Sequence, residues 1–160
     1  MRHVIIEWRD DEYAPSYWLD PQPYLDLLPA LAEELPPGAR AFALDPAHYA
    51  FGDPRCVKNL KLVNLAFGDG PRPGLVAVLS PNPWMHTEAL VIEYSGVSAL
   101  SVEVEDQSDE EYPAGLDRLL LDEILPAEAG CTHEIRFSGG FLNVTCADLT
   151  ADWRPHPPAP

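Results

Sequence analysis

Scattered through the chain are residues whose types could do chemistry. His86 and Glu88 stand two apart on a predicted strand, as do Cys131 and His133, so each pair shares a face. Convergence of both pairs would gather ligand types that zinc accepts. The spacing argues against a metal: no C-x-x-C or H-x-x-x-H run is present, and buried cysteine behaves as a small hydrophobe. Asp106, Ser108 and Glu110 alternate like the start of a calcium loop, but the bend glycine and terminal glutamate are missing. There is no Gly-rich phosphate loop and no G-x-S-x-G elbow. The expectation is a protein with no catalytic residues, no metal and no cofactor. A small enzyme with a pocket of His86, Glu88 and His133 is one alternative, and a subunit of a homo-oligomeric or larger assembly is the other.

Two cysteines give a geometric expectation. If Ser138-Gly139 is a two-residue turn, Cys131 faces Cys146 across a hairpin; a Gly139-Gly140 turn would instead put His133 opposite Cys146. The three cysteines (Cys56, Cys131, Cys146) fit a reducing compartment, which favours free thiols.

Acidity is the strongest surface signal. From Glu103 to Glu111 six of nine residues are carboxylates (Glu103, Glu105, Asp106, Asp109, Glu110, Glu111), and Tyr112 follows. Such a block is either a solvated turn or an acidic face for a basic partner with Tyr112 as anchor. The whole chain carries a formal charge of −16. Residues 1–80 hold 7 basic and 11 acidic side chains, and 81–160 hold 3 and 15, so −12 of that charge lies in the second half. This field repels nucleic acid and anionic lipid and draws in basic proteins.

The elements that must position these groups read as α+β, predominantly antiparallel sheet in hairpins and meanders, with one N-terminal helix and a short second one. His3–Trp8 reads as a strand. Tyr24, Leu27, Leu28, Leu31 and Leu35 form a helical face; a start at Asp20 with Pro21 in the first turn would put Pro29 inside the helix, so Asp26 is preferred as N-cap. Ala41–Leu44 reads as a strand beside the first, giving a β-α-β unit over residues 1–50. Val57–Phe67 and Leu75–Leu79 read as strands. Glu88–Glu105 alternates as a hairpin or two meander strands, with Leu100, Val102 and Val104 facing the core. Leu116, Leu119, Leu120 and Ile124 have helical spacing, although Arg118–Leu125 also reads as a strand. The 160 residues suit one domain over 1–153, the 1–50 portion packed with a β-rich 51–153, and a proline-rich tail over 154–160 that frays after Trp153. No apolar run approaches the ~20 residues of a membrane span, and no leader-like segment opens the chain, so a cytoplasmic location is expected.

From about Phe51 to Leu149 the chain resembles small acidic immunity proteins of bacterial polymorphic-toxin systems. The polar turn Gly52-Asp53-Pro54-Arg55-Cys56-Val57-Lys58-Asn59-Leu60 opens a strand, an alternating strand ends in Tyr94-Ser95-Gly96-Val97, and a late hairpin spans His133–Cys146. Related families often place a His-Asp pair at the opening turn, where Gly52-Asp53 stands here. The resemblance implies a protein that binds and neutralises a cognate toxin domain, without catalysis; a monomer or homodimer is expected.

Overall fold

The computed structural model describes residues 1–10, 16–68, 74–105 and 115–155. It is α+β with antiparallel sheets throughout. Strand β1 (Ile5–Arg9) forms a hairpin with β2 (Ser16–Asp20), which leads into helices α1 (Gln22–Glu34) and α2 (Pro37–Ala43). A first meander, β3 (Lys61–Phe67), β4 (Leu75–Ser80) and β5 (Glu88–Ser95), is followed by β6 (Ala99–Val104). A second meander, β7 (Leu119–Ala127), β8 (Gly130–Phe137) and β9 (Gly140–Cys146), is followed by β10 (Asp148–Pro155). The two meanders exchange their fourth strands: the sheets run β10-β5-β4-β3 and β6-β9-β8-β7.

The crossing point sets this exchange. Ser95 and Gly96 carbonyls both accept from Ala147 N (2.9 and 3.2 Å), and Ser98 N donates to Thr145 O (2.8 Å). Here the β5–β6 and β9–β10 connections each leave one sheet for the other. Gly96 has φ +61°, and a Cβ there would sit 2.9 Å from the Ala147 methyl. The expected β5–β6 hairpin is therefore not formed: β5 pairs with β4 and β10, and β6 pairs with β9. Local turn chemistry marks a bend, but which edge the next strand joins is a long-range contest.

Inward residues of both sheets meet in one buried cluster. Leu75, Ala77, Leu79, Leu90, Ile92 and Tyr94 come from the first sheet, and Leu119, Ile124, Ile135, Leu142 and Val144 from the second. Helix α1 lays Tyr24, Leu28 and Ala32 against this core. Its start differs from expectation. Pro21 is the N-cap, the Asp20 carboxylate accepts from Gln22 N (2.9 Å), and Pro29 lies inside the helix. Burying Tyr24, whose hydroxyl donates to Ile124 O (2.8 Å), offsets the hydrogen bond that Pro29 forfeits.

Ala41–Leu44 is not a strand, so the β-α-β unit is replaced by a hairpin and two helices. Pro37 opens α2, which buries Ala39, Phe42 and Ala43 at helical spacing. Asp148 of β10 caps the helix from a distance, accepting from Gly38 N (3.1 Å) and Ala39 N (2.9 Å). Gly38 is required by this approach, since a Cβ would lie 2.0 Å from Leu149 O. The expected second helix at Leu116–Ile124 is β7, buried over its first six residues. A strand covered on both faces loses the alternation that would have announced it. Val57–Leu60 precedes β3 as turns, with Asn59 at φ +72°. β10 runs through Arg154 and Pro155, paired with Ala89 and Glu88, so the chain stays ordered past Trp153. Among the described residues no helix is long and apolar enough to cross a membrane.

Candidate functional site

Two carboxylates stand side by side in the apolar run of β7, and alternation sends them to opposite faces. Asp122 points inward. Its Oδ1 lies 2.7 Å from His48 Nε2 and its Oδ2 lies 2.8 Å from His133 Nε2. His48 Nδ1 is 2.9 Å from Phe42 O, and His133 Nδ1 is 2.9 Å from the Tyr94 hydroxyl. Tyr49 stacks on His48 at 4.2 Å and donates its hydroxyl to Asp122 O (3.1 Å). All five side chains are buried.

Hydrogen-bond bookkeeping places the protons. A carbonyl and a carboxylate can only accept, so His48, facing one of each, carries hydrogen on both nitrogens and is an imidazolium. His133 donates from Nε2 to the carboxylate and shares a hydrogen bond with the Tyr94 hydroxyl at Nδ1. Asp122 and the His48 imidazolium thus form a buried ion pair. Burial alone pushes the Asp122 carboxyl up, but the His48 charge and the hydrogen bonds from His133 and His48 hold it well below the usual carboxylate range. Burial likewise pushes His48 down, and the Asp122 charge, the Asp122 hydrogen bond and the Phe42 carbonyl together leave it raised.

The pH dependence follows with definite signs. The Asp122 contribution to stability is present above its unfolded value of about 3.9 and is lost as pH falls through the depressed folded value. The His48 contribution is complete below its unfolded value of about 6.5 and is lost as pH rises through the raised folded value. Urea unfolding across pH should show wild type weakening above about pH 6.5, with His48→Gln less stable overall but lacking this alkaline limb. An unchanged limb in the variant would reassign it to another group.

Glu123 points to the outer face. Its Oε1 accepts from Arg2 N (2.7 Å) and its Oε2 from His3 N (2.7 Å) and Val4 N (2.8 Å). Three successive amides thus wrap one buried carboxylate, and β1 is delivered to the outer face of the second sheet. Register identifies that face. Glu103, Phe141 and Arg136 lie directly opposite one another on β6, β9 and β8, and the next such row is Ser101, Asn143, Glu134 and Glu123. Between this face and the hairpin lies a cleft of about 510 Å³. Val4, Ile6, Trp8 and Tyr17 form its apolar wall, and Glu105, Glu134 and Arg136 form the other. Glu105 Oε1 is 2.6 Å from Arg136 Nη2, and Glu134 Oε1 is 2.6 Å from the Met1 ammonium. Trp8 and Tyr17 meet edge to face at 5.0 Å, and on the hairpin Arg9 sits 4.1 Å over the Trp18 ring.

Of the acidic block, Glu103 lies on β6 and Glu105 just past its end, beside the cleft. Asp106, Asp109, Glu110, Glu111 and Tyr112 lie outside the described residues. β6 is the outer strand of its sheet. Val102 and Val104 were expected to face the core; they are 47% and 53% exposed, because an outer strand has cover on one side only. Leu100 does pack against the core.

His86, Glu88 and His133 do not converge. His86 donates to Cys56 O (2.8 Å) and accepts from Asn82 N (3.0 Å), Glu88 pairs with Arg55 (2.8 Å), and His133 belongs to the buried network. Ser138-Gly139 is the turn, Cys131 pairs with Cys146 in register, and their sulfurs lie 3.7 Å apart as free thiols. Among the described residues no three His, Cys, Asp or Glu side chains are grouped to hold a metal ion. Sequence reasoning missed His48, Asp122 and Glu123, although carboxylates inside an apolar run are a detectable signal of buried charge. Comparisons with family models, curated proteins and solved structures return no match for this chain.

Proposed function

We propose that this protein is a non-catalytic binding module that captures a basic protein partner on the outer face of its second sheet, in the manner of an immunity protein neutralising a toxin domain. One observation carries the reading: a cleft with an aromatic and aliphatic wall opens beside the carboxylates of Glu105 and Glu134, on the sheet face that also bears Glu103. A lysine or arginine stem packs on Trp8 and Tyr17 while its head meets carboxylate oxygens, as Arg9 already does over Trp18. The chain's net charge of −16 steers such a partner inward.

The test begins with affinity capture from the native cell, followed by titration of the captured partner against purified protein. Glu103→Lys with Glu105→Lys should weaken binding roughly tenfold, mostly through the association rate, and higher salt should weaken wild type more than the variant. Asp109→Lys and Glu110→Lys extend the test along the acidic block. Equal affinity for all variants would remove this face from the interface. For the toxin assignment, the captured partner expressed alone should halt growth and co-expression should restore it.

A further inference from the structure

A second surface, on the other sheet, is built for contact and is carried by separate observations. Trp84 is 94% exposed, yet its loop is tightly held. Asn82 Oδ1 accepts from Trp84 N (3.0 Å), Asn82 O accepts from Met85 N (3.0 Å) and His86 N (2.8 Å), and Asn82 N donates to His86 Nδ1 (3.0 Å). Pro81 and Pro83 stiffen the same turn, and His86 ties it to Cys56 O. A large indole held in water on an ordered loop has its binding entropy already spent, which is the property of an interface anchor.

Next to Trp84 is a cleft of about 460 Å³ whose charged lining is Lys61, Arg118 and Asp117. Lys61 pairs with Asp117 (2.9 Å), while the Arg118 guanidinium forms no ion pair among the described residues. This is a locally cationic spot on a strongly acidic chain. It also marks the start of an open sheet edge. β3 is the outer strand of the first sheet, and among the described residues only Lys61 is bridged on its far side, by Arg118. Beyond that bridge Val63 and Phe67 are exposed. An unpaired edge offers amides and carbonyls to an added strand, and exposed apolar side chains beside it favour that addition.

We propose that β3 and the Trp84 loop dock an extended segment of a protein partner that carries a carboxylate and an apolar side chain. The segment continues the pairing that Arg118 begins, places its carboxylate at Arg118 and Lys61, and covers Trp84. Charge selects this occupant. A second copy of the chain would bring another −16 against the first.

The probe is a phage-displayed library of linear peptides selected on the wild-type protein. Enriched peptides should hold Asp or Glu beside an aliphatic or aromatic residue. Synthesised, they should bind Trp84→Ala and Arg118→Glu at least tenfold more weakly than wild type, and should slow amide exchange over residues 63–67. Trp84→Ala touches no core residue, so its urea midpoint should match wild type and certify its fold. Failure to enrich peptides over a Trp84→Ala background would overturn the proposal, as would equal affinity for the variants. Sedimentation equilibrium showing Trp84-dependent self-association would overturn it in favour of a second copy.

Discussion

Asp122→Ala is expected to lower the unfolding free energy by about 3–5 kcal/mol, because it strands a buried imidazolium with no counter-charge. For a chain of this size that is a fall in melting temperature on the order of 10 °C, against a total stability of about 5–15 kcal/mol. The residual cost is limited by one escape route: His48 can deprotonate, keeping its Nδ1–H on the Phe42 carbonyl. Asp122→Asn should cost less than Ala. Its Oδ1 still accepts from one histidine, and His133 can shift its hydrogen to Nδ1, donating to the Tyr94 oxygen while accepting from the new amide. Denaturant melts of Ala, Asn and His48→Ala, with the double variant, separate these terms. A single Asp122→Ala cost below about 1 kcal/mol would refute the buried ion pair.

Glu123→Ala is expected to cost about 2–4 kcal/mol and to release residues 2–4. Hydrogen bonds to a charged group contribute about 1.5–3 kcal/mol each, but the three here share one ordering cost and water can reclaim the outer amides. Val4 N is the deepest of the three and dominates the loss. Glu123→Gln keeps the size but turns an NH2 toward amide donors, so it should resemble Ala. Hydrogen exchange reads the effect directly: protection at Arg2, His3 and Val4 should vanish while β8 and β9 keep theirs. Retained protection would mean that the strand pairing of β1 with β2, not the carboxylate, seats this segment. Since Val4, Ile6, Trp8 and Tyr17 wall the proposed partner cleft, Glu123→Ala should also weaken capture of the partner without touching it. A charge reversal at Glu103 would weaken capture with little change in stability, which separates the two causes.

These two carboxylates also show where reading the chain alone falls short. The run Arg118–Leu125 has leucines at helical spacing, and its strand character is hidden because Asp122 and Glu123 are both interior. Strand pattern is legible when one face meets water, as in β8 and β9, where the Ser138-Gly139 turn and the Cys131–Cys146 register follow from counting residues. It is not legible when both faces are covered by elements far away in the chain, here α1 on one side and the 1–4 segment on the other.

The antiparallel α+β class, the hairpin register at residues 131–146, the apolar face of α1 and the acidic second half were determined by local spacing and composition. Only the tertiary structure decided that β6 and β10 exchange sheets, that residues 41–43 are helical under an Asp148 cap, and that His48, Asp122, His133 and Tyr94 meet. The reason is physical. Turn residues and hydrophobic period act over a few residues and are written in sequence order. The burial of a charge instead depends on partners 74 and 11 positions away, whose approach no local preference encodes.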